Sequence, residues 1–182
     1  MKFKAFLLAA TSILVLSNPA APAEEGQQSD AVAREMAKVD YLLGTWGCAH
    51  TVGVFSGKYT TTYSMALGDR WLRQTWDFPA RNAGNGNETA VMAETLMGYD
   101  ERRQTWIRFF ANSLGQHFEI RMTDTPTGWS FKYTSFFPIT KPQTLEPDAI
   151  FAKRSDTEYT IDGPTYPEGA TNVTEHHTCH KL

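Results

Sequence analysis

The segment "TEHHTCHKL" puts three imidazoles and a thiol within five residues: His176, His177, Cys179 and His180. Far upstream, "GCAH" places a second thiol, Cys48, two residues before His50. Such groups ligate metals, move protons or, as a thiol pair, close a disulfide. The local backbone decides which of these is open. Thr171, Val173, Thr174 and Thr178 are β-branched and favour a strand. On a strand His176, Thr178 and His180 face one way and His177 and Cys179 the other, so the cluster is split. His176 and His180 then stand about 13 Å apart, too far to share one ion, whereas the same spacing on a helix would suit one.

Cys48 and Cys179 are the only two cysteines. In an exported chain such a pair reads more simply as a disulfide than as metal ligands or a nucleophile. Closing a loop of more than a hundred residues, the bridge is worth about 4–5 kcal/mol in the chain-entropy picture. If the cysteines sit opposite each other on antiparallel neighbours, residue numbers rise on one strand as they fall on the other, and His50 comes opposite His177. On parallel strands Lys181 would oppose His50 instead. A facing pair could bind a divalent metal or a haem, with Glu175 on the same face as a third ligand, or accept a hydrogen bond from a polar ligand. The simpler reading is a hydrogen-bonded pair near the end of the sheet, with no metal and no cofactor.

Acid–base catalysis would need a partner for His50, and Glu119 and Asp77 are the candidates. No nucleophile elbow, phosphate loop or His-Glu-x-x-His run accompanies them, so no catalytic residue is assigned. His117 shares a strand face with Glu119 and Arg121 and reads as solvated. Arg70, Arg102 and Arg103 lie at turns and read as solvated too. Aromatics offer a different chemistry: Tyr59, Tyr63, Trp76, Phe78, Phe109, Trp129, Phe131 and Tyr133 fall on the inward faces of their strands. They either fill the interior or line a cavity for a small apolar or amphipathic molecule.

The elements that must position these side chains follow from the period of the sequence. Lys2 and Lys4, the apolar run Ala5 to Leu16 and the small residues Ala21-Pro22-Ala23 form a secretory leader, residues 1–23. Its apolar run is shorter than the roughly 20 residues that span a bilayer, so no membrane insertion is expected, and the mature protein is read as periplasmic or secreted. Removing Lys2 and Lys4 takes the formal net charge from −3 to −5, which offers nothing to a nucleic-acid partner. Residues 24–182 read as one domain. "SDAVAREMAKVDYLLG" is predicted to be a helix, capped by Ser29 or Asp30, with Val32, Met36, Val39 and Leu43 on one face and Gly44 ending it. From there the period is two. Tyr59, Thr61, Tyr63, Met65 and Leu67 alternate with polar residues in "GKYTTTYSMAL", and Trp129, Phe131, Tyr133 and Phe137 do so in "GWSFKYTSFF".

About ten short strands result, joined by turns such as "FSGK", "LGD", "GYDERR", "NSLG" and "TPTG" that are too short for helical crossovers. Two connections are longer, "PARNAGNGNE" and "PITKPQTLEP". An antiparallel up-and-down barrel removes the exposed sheet edges and makes the first and last strands neighbours, where the two cysteines lie.

Together with these features, "YLLGTWGCAH" resembles the Gly-x-Trp start of the lipocalin-like (calycin) barrels. "LLGTW", "LGDRWLRQTWDF", "MGYDERRQTW" and "SDTEYTIDG" followed by "TCHK" resemble an uncharacterised exported bacterial family of the DUF1579 type. The resemblance covers most of the mature chain. It implies a fold shared with small-ligand carriers and a Trp46 pointing into the barrel, on the same face as His50 and His177. Two departures stand out: no counterpart is placed for the basic residue that covers this tryptophan in typical lipocalins, and the "WxGxGxG" start of bacterial haem-binding relatives is not matched after Trp46.

Overall fold

A computed structural model describes residues 30–53, 55–82, 88–137, 149–165 and 173–182. The leader 1–23, the cap Ser29 and most of the two longer connections lie outside the described residues. Ten strands follow one helix, α1 (Asp30–Ala37): β1 (Gly44–Val52), β2 (Phe55–Ala66), β3 (Trp71–Asn82), β4 (Glu88–Asp100), β5 (Thr105–Asn112), β6 (His117–Thr125), β7 (Gly128–Phe137), β8 (Ala149–Ser155), β9 (Glu158–Thr165) and β10 (Val173–Lys181). Each strand pairs with the next, and β1 pairs with β10, so the sheet closes into an antiparallel barrel in sequence order. The all-β up-and-down architecture expected from the period-two pattern is thus present.

Alternation is what fills the inside. In β2, Tyr59, Thr61 and Tyr63 are buried while Lys58, Thr60, Thr62 and Ser64 are exposed. Trp129 and Phe131 of β7 are buried as well. Because successive strands run in opposite directions, the short turns 67–70, 101–104, 126–127 and 156–157 fall at one end of the barrel. The strand ends joined by the longer connections fall at the other. The N-terminal segment closes the short-turn end. Leu42 is 1 % exposed there, and its carbonyl accepts a 2.6 Å hydrogen bond from the indole Nε1 of Trp46.

Four expectations need correction. The predicted helix 29–44 stops at Ala37 and is followed by a single 3-10 turn, Asp40–Leu42. The i→i+3 bonds Lys38 N to Glu35 O and Val39 N to Met36 O tighten the end, and the break lets Val39 and Leu42 turn into the barrel, where both are buried. The connection "PARNAGNGNE" does not begin at Pro79, where β3 is still in the sheet. The strand runs to Asn82 through a bulge between Phe78 and Arg81, a place where Pro79 can sit without owing a ladder hydrogen bond. Leu67 leaves the β2 pattern: it has φ 52° in the turn and is 67 % exposed. Phe109, expected inside, faces out and packs against Trp71 with ring centroids 6.1 Å apart, so its neighbour Arg108 takes the inward position.

At the closed end the interior is a chain of touching rings. Trp46, Tyr159, Phe151, Trp129, Trp106 and Tyr99 follow one another at centroid distances of 4.9, 4.6, 5.5, 5.6 and 5.8 Å. Lys181 of β10 lies over the Trp46 ring, 5.7 Å from its centroid, and donates to the Tyr41 carbonyl. Lys181 thus sets a basic side chain over Trp46, a contact that strand-by-strand reading does not place.

Candidate functional site

Pairing of β1 with β10 puts Cys48 opposite Cys179 and His50 opposite His177. The two cysteines form a disulfide with S–S 2.05 Å and Cα–Cα 4.1 Å, on the inner face and almost without exposure. Such a bridge accords with folding in an oxidising compartment. One inward step along each strand brings the imidazoles together. Their rings stack at 5.5 Å with an interplanar angle of 22°.

Hydrogen bonds tie this pair to the barrel wall. The Tyr59 hydroxyl lies 2.8 Å from His177 Nδ1, and His177 Nε2 lies 3.4 Å from a Glu175 carboxylate oxygen. Burial, with Tyr63 and Glu175 nearby, pushes the Tyr59 phenol far above its ordinary range, so it keeps its proton and stands as a neutral hydroxyl beside Nδ1. In the tautomer protonated at Nε2, the imidazole accepts from Tyr59 and turns its N–H toward Glu175. Phe78 packs on both Tyr59, at 4.6 Å, and His50, at 6.1 Å.

A stacked, hydrogen-bonded pair is a poor start for a metal centre. The trio His50, His177 and Glu175 does not come together as a ligand set, and among the described residues no group of three His, Cys, Asp or Glu does. Asp77, one of the two acid–base candidates for His50, is exposed on the outer face of β3 and cannot serve it. Glu119 lies 3.6 Å from the exposed Arg121. His176 and His180 face outward, His176 against Asp162 of β9.

Below the histidines runs a polar belt with no signal in the sequence pattern. Arg108 is 7 % exposed and donates through Nη2 to Gln74 Oε1 at 2.8 Å. Gln74 donates in turn to the Thr61 hydroxyl at 3.0 Å, and Thr61 to the Thr75 carbonyl at 2.8 Å. The guanidinium lies over the Trp76 ring, 5.1 Å from its centroid. Tyr63 and Tyr159 share a 3.1 Å hydrogen bond nearby. Burial raises the Tyr63 phenol to about 12, the Arg108 charge opposing the rise, and Tyr159 is raised well above its ordinary value for the same first reason.

The belt divides two aromatic storeys. On the closed side, a void of only ≈ 10 Å³ remains between Arg108, Gln74, Tyr63, Met97 and Phe131, room for about one water-sized sphere. Toward the open end, Trp76, Phe78, Phe110, Phe118 and His177 point inward yet stay half-buried. Trp76 and Phe110 are 5.1 Å apart, and Phe110 stacks on Phe118 at 4.2 Å. Of the expected site residues, Trp46, Tyr63, Trp129 and Phe131 belong to the closed end or the belt; His50, Tyr59, Trp76 and His177 line the open half. Tyr133 pairs with Ile120 in the ladder, and its side chain lies outside the described residues.

A larger recess of ≈ 720 Å³ sits on the outside of β10, β1, β2 and β3, between Ala49, Lys58, Thr60, Asp77 and His180. It is broad and open, and these five side chains are exposed. A specific site needs convergent buried groups, and the barrel interior has them. No protein family and no curated protein matches the chain, so the ten-stranded barrel and its interior are what define this protein.

Proposed function

We propose that the protein is an exported lipocalin-like carrier that holds a small apolar or amphipathic molecule in the open half of its barrel, with no catalysis required. One observation carries the reading. Trp76, Phe78, Phe110 and Phe118 face inward in a closed barrel, yet each remains half-buried. Solvent reaches an inward side chain of a closed barrel only through the lumen, so partial exposure there marks room that packing has not used. Rings around a few polar tips, here Tyr59, His50 and His177, suit a flat or amphipathic guest.

The closed antiparallel barrel is consistent with a calycin-like fold, and kinship with exported lipocalin-like proteins of the DUF1579 type is part of this proposal. The 1–23 leader, a periplasmic or secreted location and a single domain from residue 24 onward are part of this proposal. Metal or haem on His50 and His177 is the weaker alternative, because the two rings stack on each other and Tyr59 engages His177.

Native mass spectrometry of the disulfide-bonded protein, taken from an oxidising compartment without added ligand, tests the carrier idea. The expected result is a co-purified organic molecule that is lost from Phe78→Ala. A haem or metal lost on His50→Ala would overturn it.

A further inference from the structure

A guanidinium inside an apolar barrel is costly unless something neutralises it. Among the described residues Arg108 contacts the Gln74 carbonyl oxygen and the face of Trp76, and no carboxylate. Arginine carries five N–H donors, so most of them have no acceptor among the described residues. The Gln74 oxygen accepts from Arg108 and its amide donates to Thr61. The shortage is shared. The indole Nε1 of Trp76, a donor only, is buried without an acceptor among the described residues. Tyr63, which lines the same void, already shares its hydroxyl with Tyr159. The belt is therefore rich in donors and poor in acceptors. Arg108 is also the one permanently charged group among the buried described residues.

We infer that Arg108 anchors the carboxylate of an anionic amphiphile whose apolar tail runs toward the open end past Trp76, Phe78 and Phe110. The inference rests on the carrier reading and adds to it the sign, the shape and the orientation of the guest. A carboxylate offers only acceptors, and its two oxygens match the planar guanidinium fork. One negative charge balances one arginine, whereas a phosphate dianion would bring a second charge for which the interior holds no second fixed cation among the described residues. The void beside Arg108 and Gln74 admits little beyond a head-group oxygen, so the bulk of the guest must lie on the other side, among the half-buried rings.

The test is a binding comparison on the disulfide-bonded protein after lipid removal. Straight-chain fatty acids and the primary alcohols of the same lengths are titrated, with tryptophan fluorescence and calorimetry as readouts. Acids are expected to bind about ten- to hundredfold more tightly than their alcohols, the range a charge-assisted hydrogen bond supplies. Arg108→Met is expected to erase that preference while leaving alcohol affinity within about threefold, and Arg108→Lys, which keeps the charge and loses the fork, to fall between. Equal affinity for acid and alcohol in the native protein would overturn the inference and leave the carrier reading standing. Binding of neither would overturn both. Because the decisive comparison uses the native protein, it does not depend on how the variants fold.

Discussion

Gln74 shows how much a single neutral side chain can do when a charge is buried. It is 4 % exposed and bridges Arg108 to Thr61, giving the guanidinium its only hydrogen-bond acceptor among the described residues. Gln74→Leu keeps the apolar stem and strands the cation. It is expected to cost about 1–3 kcal/mol or more, read as a lower urea midpoint with an unchanged slope. The meeting of His50 with His177 is legible from residue spacing, because an antiparallel register is arithmetic once two cysteines are set opposite each other. The inward turn of Arg108 is not. "RQTWIRFFANS" carries large apolar residues on both faces, since Phe109 covers Trp71 on the outside while Trp106 is buried within. Period-two reasoning finds two candidate inner faces there and has no means of choosing.

Among the elements, the segment from α1 to β1 differs most from expectation. Helical spacing of Val32, Met36, Val39 and Leu43 suggests one helix, yet propensity loses to packing, and the chain breaks so that the 3-10 turn can stop the barrel. Leu42 is the stopper. Leu42→Ala is expected to lower stability by about 2–5 kcal/mol, checked by the thermal midpoint, because the Trp46 indole is bonded to the backbone of this residue and the surroundings cannot collapse freely into the gap. Strand existence and order are legible throughout. Strand ends are less so: β3 passes through Pro79 by a bulge, a device that depends on its partner strand β4 and leaves no local signal beyond the proline itself.

For the whole molecule, closure decides stability. The disulfide joins residues 131 positions apart, the first and last strands of the barrel. Closure also buries phenols, and their titration makes stability depend on pH. Tyr63 moves from 10.0 to about 12, with Tyr59 and Tyr159 raised for the same reason, burial. Between those values the unfolded chain gives up the Tyr63 proton and the native state keeps it, so stability is full below pH 10 and falls as pH rises toward 12. The loss from Tyr63 alone is on the order of 2–3 kcal/mol. Urea midpoints measured across this range are expected to be level and then to drop; a level profile throughout would mean that these phenols are reached by water.

Period-two patterning, short glycine-marked turns and one cysteine near each end were enough to determine an antiparallel barrel, the neighbourhood of its first and last strands and the meeting of His50 with His177. All of these depend on residue spacing, which a sequence contains in full. Tertiary structure alone decided that Lys181 covers Trp46, that Arg108 and not Phe109 turns inward, and that rings fill one end of the barrel and leave the other half-buried. Those outcomes come from contacts between strands remote in sequence, where packing across a closed sheet chooses between faces that each strand, read by itself, offers equally.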